Sequence, residues 1–180
     1  MISIEDFLFF IDEELDGMIE VVIALGDDLA NQRPDIPQSN SPYAILTHCL
    51  GVMEYWGGFI IAGRSVERDR DAEFRAFGPV KGLLTRTDQA RQQLRADLAN
   101  LEPAALPRGV PNPAFVPGGR SDADLPLGRT QGGALVHLYS ELAQHRGQLE
   151  GCRDVLLAPW ARRTREPNDT PQPDHRYSST

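Results

Sequence analysis

The sequence predicts an all-α protein, a four-helix bundle with a long loop before the last helix and a disordered C-terminal tail. Three observations carry that prediction. Four segments repeat apolar residues at steps of three or four, the period of a helix buried along one face. No segment shows the two-residue alternation of a half-buried strand. Proline, glycine and charged residues cluster in the gaps between the four segments, where connections belong.

The first helix follows from Ile4, Phe7, Ile11, Leu15, Met18, Val22, Leu25 and Leu29, with acidic residues filling the opposite face. Ser3 is placed to cap it, and Pro34 marks its end. After the loop "RPDIPQSNSP", Ser41 and Pro42 read as an N-cap followed by proline at the first helical position. The second helix then runs to about Gly63, with Ile45, Cys49, Val52, Trp56 and Phe59 on one seam. Gly57 and Gly58 weaken it near the middle, marking a bend or making room for a ligand.

The connection "RSVERDRDAEFRAFGP" is charged and has room for one short helical turn. The third helix places Leu84, Thr87, Arg91, Leu94, Leu98 and Leu101 in register and is polar elsewhere. Residues 102–129 are dense in Pro, Gly and Asp and form the long loop. The fourth helix starts near Thr130 and ends before Pro159, on a seam of Leu138, Leu142, His145, Leu149, Cys152 and Leu156. Gly147 and Gly151 offer a stripe for close approach of another helix. The expected division is a bundle domain over residues 1–158 and a flexible, polar, proline-rich tail over 159–180.

A formal net charge of −8 disfavours nucleic acid and anionic membrane surfaces as partners, since both demand a basic face. Apolar stretches are interrupted by Asp, Glu or His, so no segment is expected to span a bilayer. The N-terminus carries acids where a secretory leader needs Lys or Arg. Two cysteines, Cys49 and Cys152, suit a reducing compartment and read as small buried hydrophobes. A cytoplasmic protein is the expectation. Bundles of this kind often pair as homodimers, although no exposed apolar face for pairing can be identified from the residues.

The seam of the last helix holds the chemistry. His145 stands where the pattern asks for leucine, with Glu141 one turn earlier and His137 one turn before that. Four-residue steps drift by only about 40° per turn, so the three side chains lie along one face, about 6 Å apart along the axis. An ionised carboxylate is costly to bury without a partner or a metal. His48, beside the seam of the second helix, is directed inward too. Across a bundle interface, His48, Glu141 and His145 supply two imidazoles and a carboxylate, a donor set found in catalytic zinc sites with one open position. The competing reading is plain: helical Glu–His pairs also decorate surfaces, and a core histidine is commonly satisfied by one hydrogen bond. His137 is left as a spare ligand, an acid/base group or the polar edge of the helix.

The stretches "SPYAILTHCLGVMEYWGGFIIAGRSVERDRDAEF" (41–74) and "HLYSELAQHRGQLEGCRDVLL" (137–157) carry a resemblance. The first resembles a helix-two histidine followed by a Gly-Arg and acid-rich connection, the second an H-x-x-x-E-x-x-x-H helix. Both are similar to the DinB-like superfamily of metal-binding four-helix bundles. They most resemble its actinobacterial branch of mycothiol-dependent S-transferases and the N-terminal domain of mycothiol-dependent maleylpyruvate isomerase. The resemblance implies His48, Glu141 and His145 as metal ligands, the same residues that the seam selects. Related bundles with three histidines have His in place of Glu141, which puts this chain nearer the thiol-transferase branch. The isomerase carries a second domain for which this chain has no room, so isomerase activity is not implied.

The function expected from that resemblance is transfer of a low-molecular-weight thiol, mycothiol, to a small electrophile. Zinc is the first choice of metal, and nickel and iron also suit the donors. The metal would favour the thiolate, His137 would relay the proton and Tyr55 would line the pocket wall. Trp56 reads as core, while Arg64, Arg68 and Arg70 either hold polar groups of the thiol or are simply solvated. A metal-dependent hydrolase and a non-catalytic, metal-stabilised binding protein are the alternatives.

Overall fold

The computed structural model describes residues 3–110 and 129–158. Helix α1 (Ile4–Ala30) opens with the predicted cap: the Ser3 hydroxyl accepts from the Asp6 N–H at 3.0 Å, and the Asp6 carboxylate accepts from the Ser3 N–H at 3.3 Å. Ile11, Leu15, Met18, Val22 and Leu25 are buried as their spacing requires. The seam does not run straight to Leu29. At Gly26 the backbone has φ 64° and ψ −179°, a conformation that side chains beyond glycine essentially never adopt, and the helix kinks there.

The kink turns the last residues of α1 onto the start of α4 (Val80–Leu98). Asn31 grips Gly78 in both directions, donating to its carbonyl at 2.8 Å and accepting from its N–H at 2.9 Å. Asp27 accepts from the Val80 N–H at 2.8 Å, doing for α4 what its own N-cap, Pro79, has no side-chain group to do.

Helix α2 (Pro42–Met53) begins under the Ser41 hydroxyl, which accepts from Ala44 N–H at 3.2 Å. It passes through the middle of the molecule, so both its faces are apolar and eleven of its twelve residues are buried. Residues 42–61 are long and apolar enough to cross a membrane, contrary to the sequence expectation, but 83% of that stretch is buried inside the bundle. The core of a helical protein passes the same test of length and hydropathy.

From Glu54 to Ile61 the helix widens into π geometry. The Ala62 N–H reaches back five residues to the Gly57 carbonyl at 3.0 Å. This resolves the glycine pair: a Cβ on Gly57 would strike Leu94, and one on Gly58 would strike the Arg64 guanidinium. The room made by the two glycines is filled by side chains of this chain. Gly63, at φ 74°, ends the segment in the left-handed conformation.

The charged connection forms the single turn α3 (Arg70–Glu73), capped by Asp69. In α4 the buried leucine near the start is Leu83, with Leu84 only half covered, while Thr87, Leu94 and Leu98 are buried as expected. Arg91, on the predicted seam, pairs with Asp12 and Asp16 of α1. Helix α5 (Gln131–Leu157) starts under Thr130, whose hydroxyl accepts from Gly133 N–H at 3.0 Å. Nothing packs where a Cβ on Gly147 or Gly151 would stand, so the small-residue stripe receives no helix among the described residues.

The first part of the long loop is anchored: Arg108 and Gly109 N–H groups donate to the Ile60 carbonyl at 2.8 and 3.1 Å. The buried Gln131 side chain ties Glu102 and Leu106 to the start of α5. The rest of that loop and the proposed 159–180 tail lie outside the described residues.

Candidate metal centre

Packing of α2 against α5 brings the predicted triad together. His48, Glu141 and His145 each offer one donor atom, and these atoms lie within 4.8 Å of one another. Donors around tetrahedral zinc stand roughly 3.4 Å apart, so modest side-chain rotation closes the set around an ion. His145 Nε2 is already 3.6 Å from Glu141 Oε2. The Nδ1 side of His145 is occupied by Gln148 Oε1 at 2.9 Å, which leaves Nε2 for the cluster. The His48 and His145 rings meet edge to face at 4.9 Å. Two imidazoles and one carboxylate converging in this way fit a divalent metal.

His48 is 3% exposed, whereas the Glu141 and His145 side chains each keep 20% exposure. The site is therefore buried on the α2 side and reachable on the α5 side. Burial pushes the His48 imidazole below its ordinary value, with Glu73 pulling the other way. The contact with His145 holds the Glu141 carboxyl below the usual carboxylate range, outweighing its partial burial. Both residues thus favour the unprotonated forms that a metal requires.

His137 belongs to the same constellation although it is not one of the three converging donors. Its Nε2 stands 3.7 Å from Glu141 Oε1, on the oxygen not facing His145. The ring is buried edge-on against Trp56, with centroids 4.4 Å apart. Burial lowers its pKa, and the neighbouring Glu141 opposes that shift. Tyr55 is also buried, packed between Trp56 and Phe59 with the Arg68 guanidinium over its ring. Arg68 in turn reaches His48 Nδ1 at 3.3 Å, so Tyr55 stands behind the triad rather than on its open side.

The sequence reading missed Glu73 and gave Arg68 a different role. Glu73, from α3, places Oε2 2.7 Å from His48 Nδ1. Arg68 grips that carboxylate with both ends, Nε to Oε1 at 2.7 Å and Nη2 to Oε2 at 3.0 Å. Arg68 is thus neither solvated nor a spare anion site: its side chain is 5% exposed. Arg64 pairs with Asp97 at 3.1 Å, and Arg70 lies over the Phe74 ring. Phe74 in turn stacks on His48, with centroids 4.5 Å apart. Gly51, one turn beyond His48, makes the arrangement feasible, since a Cβ there would collide with the Glu73 carboxylate. Only the acid-rich character of the 64–75 connection hinted at these roles. A cavity of about 330 Å³ runs along the Arg68–Glu73 pair but is not walled by the triad.

Cys49, next in sequence to His48, is fully buried, and burial drives its thiol far up, with Glu141 and Glu73 adding to the effect. It is an inert core residue rather than a ligand or nucleophile.

A helical bundle whose facing helices bring two histidines and a carboxylate this close is of the kind that can hold a divalent ion between helices. The model of the DinB superfamily matches residues 11–149, and the chain belongs to that superfamily. Comparison with curated proteins and with solved structures returned no match.

Proposed function

We propose that the protein is a metal-dependent transferase that joins a low-molecular-weight thiol, of the mycothiol type, to a small electrophile. The observation that carries this reading is the convergence of His48, Glu141 and His145 at a point open on the α5 side, with a buried neutral imidazole beside it. Glu141 and His145 from α5 and His48 from α2 would hold a divalent metal, which when bound would supply a Lewis acid that favours the thiolate over the thiol.

His137 Nε2 takes the thiol proton. Its depressed pKa keeps it unprotonated and receptive at neutral pH, and Glu141 Oε1 stabilises the imidazolium that forms. The sulfur electron pair then makes the new bond to the electrophilic carbon. The proton on His137 passes to the leaving group or to the adduct. Trp56 orients the His137 ring, and Tyr55 forms the wall behind Trp56. The unpaired state of both cysteines agrees with a cytoplasmic location, where such a thiol would be available.

The test is elemental analysis of purified protein followed by a thiol and electrophile screen. Stoichiometric zinc, nickel or iron, with turnover that requires added thiol, is the expected result. Turnover without thiol would point to hydrolysis, and a metal-free protein would remove the enzyme altogether. His145→Ala is expected to lose both metal and thiol conjugation, and full activity in that variant would overturn the reading.

A further inference from the structure

His48 can reach an ion with only one ring nitrogen, and two groups compete to decide which one. Glu73 Oε2 lies 2.7 Å from Nδ1, while Arg68 Nη2 lies 3.3 Å from the same atom. They demand opposite tautomers. A carboxylate oxygen needs hydrogen on Nδ1, which leaves the Nε2 lone pair free for the triad. A guanidinium donor needs the lone pair on Nδ1, which would put hydrogen on Nε2 and spoil it as a donor.

We infer that Glu73 is a positioning residue that wins this competition, capturing Arg68 and holding His48 with its Nε2 lone pair turned to Glu141 and His145. The distances favour Glu73 at each step. Its bond to Nδ1 is shorter than the Arg68 approach by more than half an ångström, and it occupies Nη2 itself at 3.0 Å. It also takes Nε of Arg68 at 2.7 Å, so both ends of the guanidinium fork facing the site are spent on the carboxylate. Phe74, the next residue, stacks on the His48 ring and prevents it from turning over. Gly51 leaves the space in which the carboxylate sits. The α3 turn is therefore part of the metal site although it contributes no ligand.

The inference rests on the triad as a metal site and not on the thiol chemistry. Its sharpest consequence concerns Arg68. With Glu73→Ala, Arg68 is released to donate to His48 Nδ1, and the expected loss of zinc affinity is about 10- to 100-fold. Removing Arg68 as well, in Arg68→Ala/Glu73→Ala, takes away the wrong donor and should recover part of that affinity. A merely structural role for the pair predicts the reverse, a double variant no better than the single one.

The experiment pairs zinc affinity, measured by competition with a chromogenic chelator, with nitrogen-15 histidine spectra of the metal-free protein at a pH where His48 is neutral. Wild type is expected to show His48 protonated at Nδ1, Glu73→Ala to shift it toward Nε2, and the double variant to bind zinc more tightly than Glu73→Ala. An Nε2-protonated His48 in wild type overturns the proposal, as does a folded Glu73→Ala with unchanged zinc affinity. Should Glu73→Ala not fold, the wild-type spectrum still decides. Should wild type take up no zinc, the metal reading fails, and the spectrum alone upholds or overturns the role of Glu73.

Discussion

His48 and His137 both pay for burial in basicity, and that makes the metal-free protein sensitive to acid. Their folded pKa values lie below the ordinary 6.5, chiefly through burial, so below that value the unfolded chain binds more protons than the folded one. The stability they contribute is complete above about pH 6.5 and is lost as pH falls through their folded values. Glu141 and Glu73 act in the same direction at lower pH, since both carboxyls are held below 4.5 by their partners. Urea midpoints of the metal-free protein should therefore fall steadily from pH 7 toward pH 5. His137→Phe should flatten the upper part of that fall, and a midpoint independent of pH would contradict the burial argument. Gly51 gives a second check at this scale. Gly51→Ala is expected to cost about 1–3 kcal/mol by overpacking against Glu73, and to weaken metal binding as that carboxylate is displaced. Denaturant melts and chelator competition on the one variant read both effects.

At the level of elements, the site depends on connections as much as on helices. The clamp of Asn31 on Gly78 fixes the start of α4 and the end of the segment that carries Arg68 and Glu73. Asn31→Ala removes two part-buried hydrogen bonds, an expected loss of about 1–3 kcal/mol by urea denaturation. The seams of α1 and α5 were legible from their spacing, because each helix buries one stripe and solvates the rest. The second helix was legible only in part. Its seam was correct, but most of its other residues are buried as well, and the close approach of Leu94 to Gly57, from a neighbour distant in sequence, could not be read from its spacing. Gly26 was passed over for a related reason: the apolar period continues across it, and only the turn toward α4 requires its positive φ.

For the whole molecule, the triad joins helices whose residues are about ninety positions apart, so an ion bound there bridges the two halves of the bundle. Metal binding should consequently appear as stability. Zinc at a hundredfold excess over its dissociation constant should add about 2.7 kcal/mol, and a strong chelator should return the melting temperature to the metal-free value. The His48→Ala/His145→Ala variant should melt at the same temperature with and without zinc. A zinc-dependent shift that persists in that variant would place the ion elsewhere.

The sequence by itself determined the helical bundle and the shared face of His137, Glu141 and His145, because the period of a helix turns a linear spacing into a shared face. That His48 joins Glu141 and His145 was an expectation of the seam and the resemblance, and it is the packing of α2 against α5 that brings the three together. Tertiary structure alone decided that Glu73 and Arg68 stand behind His48, that Trp56 packs on His137, and that the glycine pair makes room for Leu94 and Arg64. No helical period links residues 25 positions apart on either side of an irregular connection. The α3 turn folds over His48 because burying a charged guanidinium and a carboxylate is tolerable only when they meet each other, and they meet where Gly51 leaves space for them.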